Sequence, residues 1–500
     1  MSDFLLGVDI GSSSIKVNLL NAQNGQSVAS STNPEKEMSI LAKKQGWAEQ
    51  NPEDWWKYIK EGILKIGQSK PFELKNTRAI GITYQMHGLV ALDNKNNLLR
   101  PSIIWCDSRA VDYGEKAFKD LGKEKCLKHL LNSPGNFTAS KLAWIKNNEP
   151  DIFKKIDKFM LPGDYISYKF TGNINTTISG LSEGILWDFL EDKSSDFLLN
   201  YYGINHTLIP NLNNTFSIHG YLKESVSEEL SLPKSIPISY KAGDQPNNAF
   251  SLNVLEPGEL ATTAGTSGVV YGITDKPLYD KDSRVNTFVH VNHKKGSPRY
   301  GVLLCLNGTG ILNRWIKQNI VDINKCQISY KDIDNNMANT IPIGSDGLIV
   351  LPYGNGAERT LNNKNLGCSM HNIDFNRHTR NHILRASQEG IVFALNYGID
   401  IMKSMGMKIE TVKAGNANMF LSPIFTETFS NITGTVIELY STDGSEGAAR
   451  GAGIGSNFYK NKKEAFNGLE KKKIIEPDLN KKDIYFEAYN NWKNIFKKIY

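Results

Sequence analysis

The chain opens with hydrophobic runs separated by a small polar turn. Residues 4–10 (FLLGVDI) are mainly apolar, residues 11–14 (GSSS) are small and polar, and residues 15–20 are apolar apart from Lys16 and Asn18. Short apolar runs bounded by turn residues are typical of buried strands. The pattern therefore predicts a hairpin of two strands, with Lys16 and Asn18 on its polar face.

The same order of strand, small-residue turn and strand returns near the middle of the chain. Residues 265–271 (GTSGVVY) resemble residues 11–17 (GSSSIKV) position by position. A single turn of this type usually marks only a hairpin, although its backbone N–H groups can also form an anion nest. Two such turns in corresponding positions predict two related halves with a nucleotide held between them.

A carboxylate stands on a glycine turn shortly before the second of these turns. Residues 242–245 (AGDQ) precede a helix-like run that ends near Leu255. A carboxylate at such a turn suits proton acceptance, and a Gly/Thr/Ser turn suits phosphate binding. We therefore predict that Asp244 takes the proton from a substrate hydroxyl while residues 265–268 hold the phosphates of ATP.

Asp9 ends the first apolar strand, directly before the first turn. A carboxylate there can hold the hydrated Mg²⁺ that accompanies ATP, because magnesium keeps several waters and needs only one or two protein oxygens. Alternatively, Asp9 caps the turn. The paired turns favour the metal role.

Two further stretches combine polar and aromatic side chains. His87 follows a predicted strand over residues 79–84, where it either hydrogen-bonds a polyol or has a structural role. Trp105, Asp107 and Arg109 lie close together in sequence. An indole face with charged hydrogen-bonding groups suits sugar recognition, and a surface cluster of these residues is the alternative.

Two helices follow from spacing and residue size. Asn51–Pro52 is a helix start, and the apolar residues after it recur at helical spacing. The residues predicted to point into the core are Trp55, Trp56, Ile59, Ile63 and Ile66. Residues 446–455 (EGAARGAGIG) predict a helix of small residues that permits close packing against a neighbour.

Composition limits the class of protein. The chain has 500 residues, 40% hydrophobic and 22% charged, which indicates a folded protein with two large domains or one domain with substantial insertions. The net charge of +6 is mild and its lysines are dispersed, so we expect no nucleic-acid partner. No stretch has the length of a membrane span, and the start lacks the pattern of a signal peptide. Five scattered cysteines favour a reduced, cytoplasmic protein.

Taken together, the motifs resemble the FGGY family of carbohydrate kinases, within the actin/hexokinase/Hsp70-like ATPases. The resemblance extends over nearly the whole chain. It rests on residues 9–14 (DIGSSS), 85–88 (QMHG), 105–109 (WCDSR), 161–165 (LPGDY), 243–245 (GDQ), 265–268 (GTSG) and 351–353 (LPY). It implies an α/β fold of two actin-like (ribonuclease H-like) ATPase domains with an interdomain active-site cleft. The implied domains are 1–248, which binds sugar, and 249–500, which binds nucleotide.

The resemblance also implies an activity. This is ATP-dependent phosphorylation of D-xylulose at its 5-hydroxyl, yielding D-xylulose 5-phosphate, with Asp244 as catalytic base and ATP and Mg²⁺ as cofactors. Residues 85–88 favour this sugar over glycerol, ribulose or gluconate. A homodimer is implied as one option, with no membrane and no nucleic-acid partner.

The site residues carried over by motif fall into three groups. The sugar-binding group is Met86, His87, Trp105, Asp107, Arg109, Asp244 and Gln245. The nucleotide-binding group is Gly11, Ser12, Ser13, Lys16, Gly265, Thr266, Ser267, Gly308, Gly415 and Asn416. Asp9 is expected to hold Mg²⁺ through water.

One stretch departs from the family pattern. Where the family usually has Gly-Gly-Gly-Ala-Lys-Ser at its adenine end, residues 414–419 read AGNANM, without the lysine. The alternatives are a kinase for ribulose, gluconate, glycerol or a related polyol, and a catalytically silent sugar sensor. An added DNA-binding helix-turn-helix, or loss of the Asp244 carboxylate, would favour the sensor. No helix-turn-helix precedes Phe4, and the carboxylate is present.

Overall fold

The computed structural model describes residues 2–322 and 328–500. The strands are β1 Phe4–Ile10, β2 Ile15–Asn21, β3 Ser27–Asn33, β4 Glu49–Gln50, β5 Thr77–Tyr84, β6 Val90–Leu92, β7 Ser102–Ile103, β8 Lys158–Met160, β9 Asn175–Thr177, β10 Trp187–Asp188, β11 Lys193–Ser194, β12 Asn211–Asn213, β13 Phe216–Tyr221, β14 Pro237–Gly243, β15 Glu259–Ala264, β16 Gly268–Thr274, β17 Asn286–Val289, β18 Tyr300–Leu306, β19 Ile349–Tyr353, β20 Gly367–His371, β21 Thr411–Gly415, β22 Val436–Ser441 and β23 Glu470–Ile475.

The α-helices alternate with these strands. They are α1 Pro52–Ser69, α2 Pro71–Leu74, α3 Val111–Leu121, α4 Lys123–Leu130, α5 Thr138–Asn148, α6 Pro150–Phe153, α7 Pro162–Thr171, α8 Ile178–Glu183, α9 Asp196–Tyr202, α10 Glu224–Leu230, α11 Asp244–Ser251, α12 Gly310–Ile316, α13 Tyr330–Asp332, α14 Arg380–Ser404, α15 Pro423–Thr433, α16 Gly444–Gly455, α17 Lys462–Ala465 and α18 Lys482–Ile499.

The chain forms two compact units. The first contains Met1–Asn253, Phe288–Tyr300 and Thr442–Leu469, and the second contains Val254–Thr287, Gly301–Ser441 and Glu470–Tyr500. Two segments from the second half of the chain thus belong to the first unit. The division into sugar-binding and nucleotide-binding domains at 248/249 stays a prediction.

The first unit is built on a six-stranded sheet in the order β13-β14-β5-β1-β2-β3. β1 and β2 are antiparallel, as the opening pattern predicts, whereas β1, β5 and β14 run parallel. The prediction that Asn18 lies on a polar face is wrong: Asn18 is buried, and its amide donates to the Ser27 hydroxyl at 2.7 Å. The reason is that α16, more than four hundred residues later in the chain, packs against β2.

The second unit repeats this arrangement. Its seven-stranded sheet has the order β17-β18-β16-β15-β21-β22-β23. The hairpin of β15 and β16 is antiparallel, and β15, β21 and β22 run parallel, as β1, β5 and β14 do in the first unit. The prediction of two related halves, each opening on a strand, a small-residue turn and a strand, agrees with this topology.

The hydrophobic core of the first unit confirms the predicted helix α1. Asn51 caps it, with its side chain accepting from the backbone N–H of Glu53, and Pro52 is its first residue. The five residues that the spacing placed inward are all buried: Trp55, Trp56, Ile59, Ile63 and Ile66. They join the apolar side chains of β1, β2 and β5 in one cluster.

Helix α16 packs on the other face of this sheet, as its small residues predict. A Cβ atom on Gly7 of β1 would lie 1.8 Å from the carbonyl oxygen of Ser445, and one on Gly81 of β5 would lie 1.9 Å from that of Ala448. Backbone meets backbone here, because glycine leaves no side chain between strand and helix. This contact sets the position of the residues at the start of α16.

Gly7→Ala should therefore lower stability. The added methyl cannot be accommodated by a flexible side chain, since it meets backbone, and overpacking of this kind costs about 1–3 kcal/mol. Thermal unfolding of the full chain would measure the shift. Gly296→Ala is the matched control, because a Cβ atom there has no atom within 4 Å; equal melting temperatures for the two variants would contradict the prediction.

Two sequence predictions concern the chain as a whole. Among residues 2–322 and 328–500, no helix is long and apolar enough to cross a bilayer. Four cysteines are free thiols, Cys106, Cys126, Cys305 and Cys368. The fifth, Cys326, lies outside the described residues.

Candidate active site

Residues predicted to bind the sugar, the phosphate acceptor, follow two neighbouring strands of the first unit. We call this part of the candidate site the acceptor site. β5 and β14 run parallel, with Tyr84 opposite Gly243, so the residues after them lie at the same edge of the sheet. Met86 packs beneath Gly243, where a Cβ atom would lie 2.6 Å from its Cγ. The fold thus brings Met86, on one strand end, beside Asp244, on the other.

Asp244 is the first residue of α11. The next residue, Gln245, donates two hydrogen bonds to the Asp244 carboxylate, one from its backbone N–H and one from its side-chain amide. Burial nevertheless raises the pKa of Asp244 to about 6, because the hydrogen bonds offset only part of the desolvation. Near neutral pH the group is an ionised carboxylate that is more basic than a free aspartate.

Asp9 lies near both Asp244 and Asp443. Burial, followed by the charges of Asp244 and Asp443, raises the pKa of Asp9 to about 7, and Lys16 offsets part of this effect. Burial also acts on Asp443, but a salt bridge from Lys16 holds the pKa of Asp443 below its usual range. The cluster therefore contains three carboxyl groups and one ammonium group, Lys16.

Asp443 could not be identified from local sequence. It is the N-cap of α16, where its Oδ1 accepts from the backbone N–H groups of Ser445 at 2.9 Å and Glu446 at 3.1 Å. A Cβ atom on Gly444 would lie 2.5 Å from Oδ2 of Asp9, so the helix start packs directly on that carboxyl. The Asp-Gly-Ser-Glu sequence is a capping signal, but its proximity to Asp9 depends on the tertiary fold.

His87 is held on several sides. Its Nδ1 lies 2.8 Å from the carbonyl oxygen of Glu183. Lys141 Nζ donates to the main-chain carbonyl oxygen of His87, also at 2.8 Å. The rings of Phe137 and Phe288 lie 4.8 Å and 5.6 Å from the imidazole. His87 is thus an ordered, half-buried ring in an aromatic setting, close to Met86 and Glu183.

Trp105, Asp107 and Arg109 separate into two environments. The indole of Trp105 is 49% exposed, whereas the side chains of Asp107 and Arg109 are buried. Arg109 donates to Asp107 and to Glu49, both at 2.7 Å, and its guanidinium lies 3.8 Å from the centre of the Trp47 ring. The surface-cluster alternative is wrong for the ion pair, and a sugar contact for these residues stays a prediction.

In the second unit, the turn after β15 lies against the start of α12. Backbone N–H groups of Gly310 and Ile311 donate to the carbonyl oxygens of Gly265 at 2.9 Å and Thr266 at 3.1 Å. A Cβ atom on Gly310 would lie 2.2 Å from the Gly265 oxygen, so only glycine fits this approach. The small-residue turn is therefore fixed by a second glycine segment.

A pocket of about 680 Å³ opens beside this turn. Its volume is in the range of sites for drug-sized ligands and cofactors. Lining residues include Gly265, Thr266, Arg314, Asn418 and Ser422. The pocket is lined both by the predicted phosphate turn and by Asn418, which belongs to the stretch that departs from the family pattern.

The other residues predicted to bind nucleotide lie elsewhere. Ser267 ends the turn, and Gly308 lines a neighbouring pocket of about 380 Å³ that contains Trp315. Gly415 ends β21, and the backbone N–H of Asn416 donates to the carbonyl oxygen of Tyr440 at 2.8 Å. None of these four residues is among the lining of the larger pocket. Their nucleotide contacts stay predictions.

Gly11, Ser12 and Ser13 form the turn between β1 and β2 in the first unit. The turn is closed by a hydrogen bond from the backbone N–H of Gly11 to the carbonyl oxygen of Ser14 at 3.1 Å. Gln50 Nε2 donates to the Ser12 oxygen at 2.7 Å. The predicted hairpin turn is confirmed, and its contact with nucleotide stays a prediction.

Two similar α/β units, one with a carboxylate cluster at its strand ends and one with a glycine turn over a large pocket, are the architecture of sugar kinases with actin-like ATPase domains. Comparison with family models makes the assignment specific. The N-terminal and C-terminal domains of the "FGGY family of carbohydrate kinases" match residues 4–251 and 260–455. The chain therefore belongs to the FGGY family, as its motifs predict.

Relatives named xylulose kinase match over almost the full length. A xylulose kinase of Staphylococcus xylosus is 30% identical over 99% of this chain and 99% of its own. A xylulose kinase of Bacillus subtilis (strain 168) is 28% identical over 99% of this chain and 96% of its own. The enzyme class, a carbohydrate kinase, is thereby confirmed.

Solved structures confirm the fold. The xylulose kinase from Rhodospirillum rubrum has a TM-score of 0.88 at 21% identity, covering 99% of this chain and 98% of that one. The gluconate kinase from Lactobacillus acidophilus has a TM-score of 0.89 at 22% identity, covering 100% and 98%. Kinases for different sugars thus share this architecture equally well, so the fold alone does not select the substrate.

Proposed function

We propose that the protein phosphorylates D-xylulose at its 5-hydroxyl with ATP, and that Asp244 is the catalytic base. The observation that supports the proposal is that β5 and β14 end side by side, with Tyr84 opposite Gly243 and Met86 packed on Gly243, so that Asp244 and His87 both follow neighbouring strand ends. The full-length relatives named xylulose kinase support the choice of sugar. The same proposal includes a cytoplasmic location and assembly as a homodimer.

Asp244 acts late in the reaction. Phosphoryl transfer passes through a loose transition state, so the enzyme mainly places the hydroxyl in line and neutralises charge. A carboxylate with a pKa of about 6 cannot ionise a sugar hydroxyl, whose pKa lies roughly ten units higher. Asp244 therefore orients the hydroxyl by accepting its hydrogen bond, and collects the proton as the new O–P bond forms.

The nucleotide is proposed to bind in the second unit. The turn from Gly265 to Ser267 would face the phosphates, with the remainder of the nucleotide in the pocket of about 680 Å³. This layout requires the acceptor site and the nucleotide turn to meet during turnover, as in the interdomain cleft predicted from the motifs. Compaction in small-angle scattering, on adding xylulose and a non-hydrolysable nucleotide, would support it.

The acidic cluster of the first unit suits a hydrated Mg²⁺. Three carboxyl groups, on Asp9, Asp244 and Asp443, are opposed by the single ammonium of Lys16. Among the described residues, no group of three or more His, Cys, Asp or Glu side chains is arranged to hold a metal ion directly. Asp9 would therefore hold the ion through water. The ion would neutralise charge on the phosphates when bound.

Activity should decline as the pH falls through about 6. The base must be ionised to accept a proton, and burial raises the pKa of Asp244 to about 6, so the active form is lost below that pH. Asp9 lies near Asp244 and has a pKa of about 7. The loss of activity at low pH, the acid limb of the pH profile, therefore reports the coupled titration of Asp9 and Asp244. The measurement is kcat against pH at saturating sugar and ATP; a flat profile down to about pH 5 would contradict the assignment.

The substrate itself is tested by a panel. A coupled ADP-release assay with xylulose, ribulose, gluconate and glycerol should give the highest kcat/KM for xylulose. His87→Ala should reduce kcat/KM for xylulose more than for the other acceptors, because the imidazole is proposed to contact this sugar. A higher kcat/KM for gluconate or another polyol would replace xylulose with that substrate and leave the kinase assignment in place.

A further inference from the structure

Glu183 has no role in the mechanism above, although it lies within the acceptor site. It is the last residue of α8, and only 1% of it is exposed. Its Oε1 atom is buried without a hydrogen-bond partner among the described residues. A buried carboxyl group in this situation costs free energy unless it serves a purpose or stays uncharged.

Glu183 holds His87 at two points. Its carbonyl oxygen lies 2.8 Å from Nδ1 of the imidazole, and its carboxyl group accepts a hydrogen bond from the His87 backbone N–H. Because a carbonyl oxygen can only accept, Nδ1 carries the hydrogen of this bond. His87 has a φ of 62°, a conformation that a non-glycine residue keeps only when its surroundings enforce it.

The same carboxyl group lies against the main chain before Asp244. A Cβ atom on Gly243 would be 2.4 Å from Glu183 Oε2, so the carboxyl fills the space a side chain would take. Burial, followed by the charges of Asp244 and Asp164, raises the pKa of Glu183 well above its usual range. The Asp164 carboxylate is itself paired with Lys241 at 2.7 Å.

The groups that face Glu183 come from several elements. They are Tyr84 on β5, His87 after β5, Lys141 on α5, Asp164 on α7 and Asp244 on α11. Lys141 is the ammonium group of this set, and it donates to the carbonyl oxygens of His87 and Ile104 rather than to the Glu183 carboxyl group. Burial lowers the pKa of Lys141 to about 7, which weakens it further as a counter-charge.

We propose that Glu183 is a positioning residue of the acceptor site: it fixes the backbone and ring of His87, and it keeps its own proton so that Asp244 is the charged member of the pair. This inference rests on the proposed function, in which His87 contacts the sugar and Asp244 is the base. When two neighbouring carboxyl groups have environments that separate their pKa values, one is the acid and the other the base. Glu183 would therefore leave Asp244 ionised without adding a second negative charge beside it.

Two substitutions separate these functions. Glu183→Gln keeps the shape, the neutral state and an oxygen that can accept from the His87 N–H, so kcat, sugar KM and the acid limb of the pH profile should stay close to wild type. Glu183→Ala removes the carboxyl acceptor of the His87 N–H and keeps the main-chain carbonyl oxygen that bonds Nδ1. It should raise sugar KM by about tenfold or more, with ATP KM unchanged, the loss expected for about one net hydrogen bond to the site. Glu229→Gln and Glu229→Ala are matched controls, because Glu229 is a half-exposed partner of Lys60.

Infrared spectroscopy tests the proton directly. The difference spectrum of wild type minus Glu183→Gln, taken near neutral pH, should contain the C=O band of a protonated carboxylic acid. A carboxylate band in its place would overturn the proposal. This measurement needs no turnover, and it remains decisive if Glu183→Ala fails to fold.

The kinetic outcomes are equally decisive. A downward shift of about one pH unit in the acid limb of Glu183→Gln would mean that Glu183 is charged in the wild type, since removing a negative neighbour lowers the pKa of Asp244. An unchanged sugar KM in Glu183→Ala would remove the positioning role. If the wild type phosphorylates no sugar in the panel, the proposed function fails, while the infrared band still decides the state of Glu183.

Discussion

Asp244→Asn should lower kcat by about 10²- to 10⁴-fold, the usual range for a positioned acid–base group, with sugar binding largely kept. The amide is nearly isosteric and can still hydrogen-bond the substrate hydroxyl, but it cannot collect the proton. Because the amide keeps the size of the carboxylate and a hydrogen bond to the hydroxyl, the effect of the variant on sugar binding should be small. Steady-state kinetics give kcat, and calorimetric titration with xylulose gives sugar affinity.

Asp54→Asn is the control for this substitution. Asp54 lies exposed in the first turn of α1. Its kinetics should match those of the wild type. A near-normal kcat in Asp244→Asn would remove Asp244 from the role of base, whereas a large loss of sugar affinity at normal kcat would make it a binding group only.

The parts of the fold that follow from sequence are those set by local pattern. The β1–β2 hairpin and the capped helix α1 depend on residues close together in the chain. The likeness of two turns, residues 11–14 and 265–268, predicts two related halves, each opening on a strand, a turn and a strand. Periodicity and repetition specify such elements because each strand or helix carries its own buried face.

Site residues outside the motifs needed the tertiary structure. Asp443 meets Lys16 only because α16 packs on β1, and Asn18 is buried for the same reason. Glu183 reaches His87 because α8 ends beside the turn after β5. In sequence these residues are an ordinary helix cap, a polar strand position and a helix end. Their chemistry comes from distant neighbours, which no local pattern encodes.

The WCDSR stretch shows how a family motif can combine two roles. Its exposed Trp105 remains available for a ligand, whereas Asp107 and Arg109 are buried in an ion pair. Arg109 also bonds Glu49, and its guanidinium lies 3.8 Å from the centre of the Trp47 ring and 4.9 Å from that of Trp144. A guanidinium suits this site because its planar fork pairs with carboxylates while its faces stack on indoles.

Arg109→Ala should consequently lower the free energy of unfolding by about 3–5 kcal/mol, the cost of breaking a buried ion pair from one side. Asp107 and Glu49 would stay buried with less positive charge beside them. Arg109→Lys should recover only part of the loss, because lysine offers neither the fork nor the stacking plane. Urea unfolding followed by tryptophan fluorescence is the measurement, since two tryptophans contact this side chain.

Arg78→Ala is the matched control for Arg109→Ala. Arg78 pairs with Asp3 at the surface, and its side chain is 55% exposed, so its removal should cost no more than about 1 kcal/mol. The sugar KM of Arg109→Lys then separates structure from recognition. If Arg109 contacts the sugar directly, Arg109→Lys should raise the sugar KM even at temperatures where the variant is fully folded. An unchanged KM with a lowered unfolding free energy would assign Arg109 to the framework that supports the exposed Trp105.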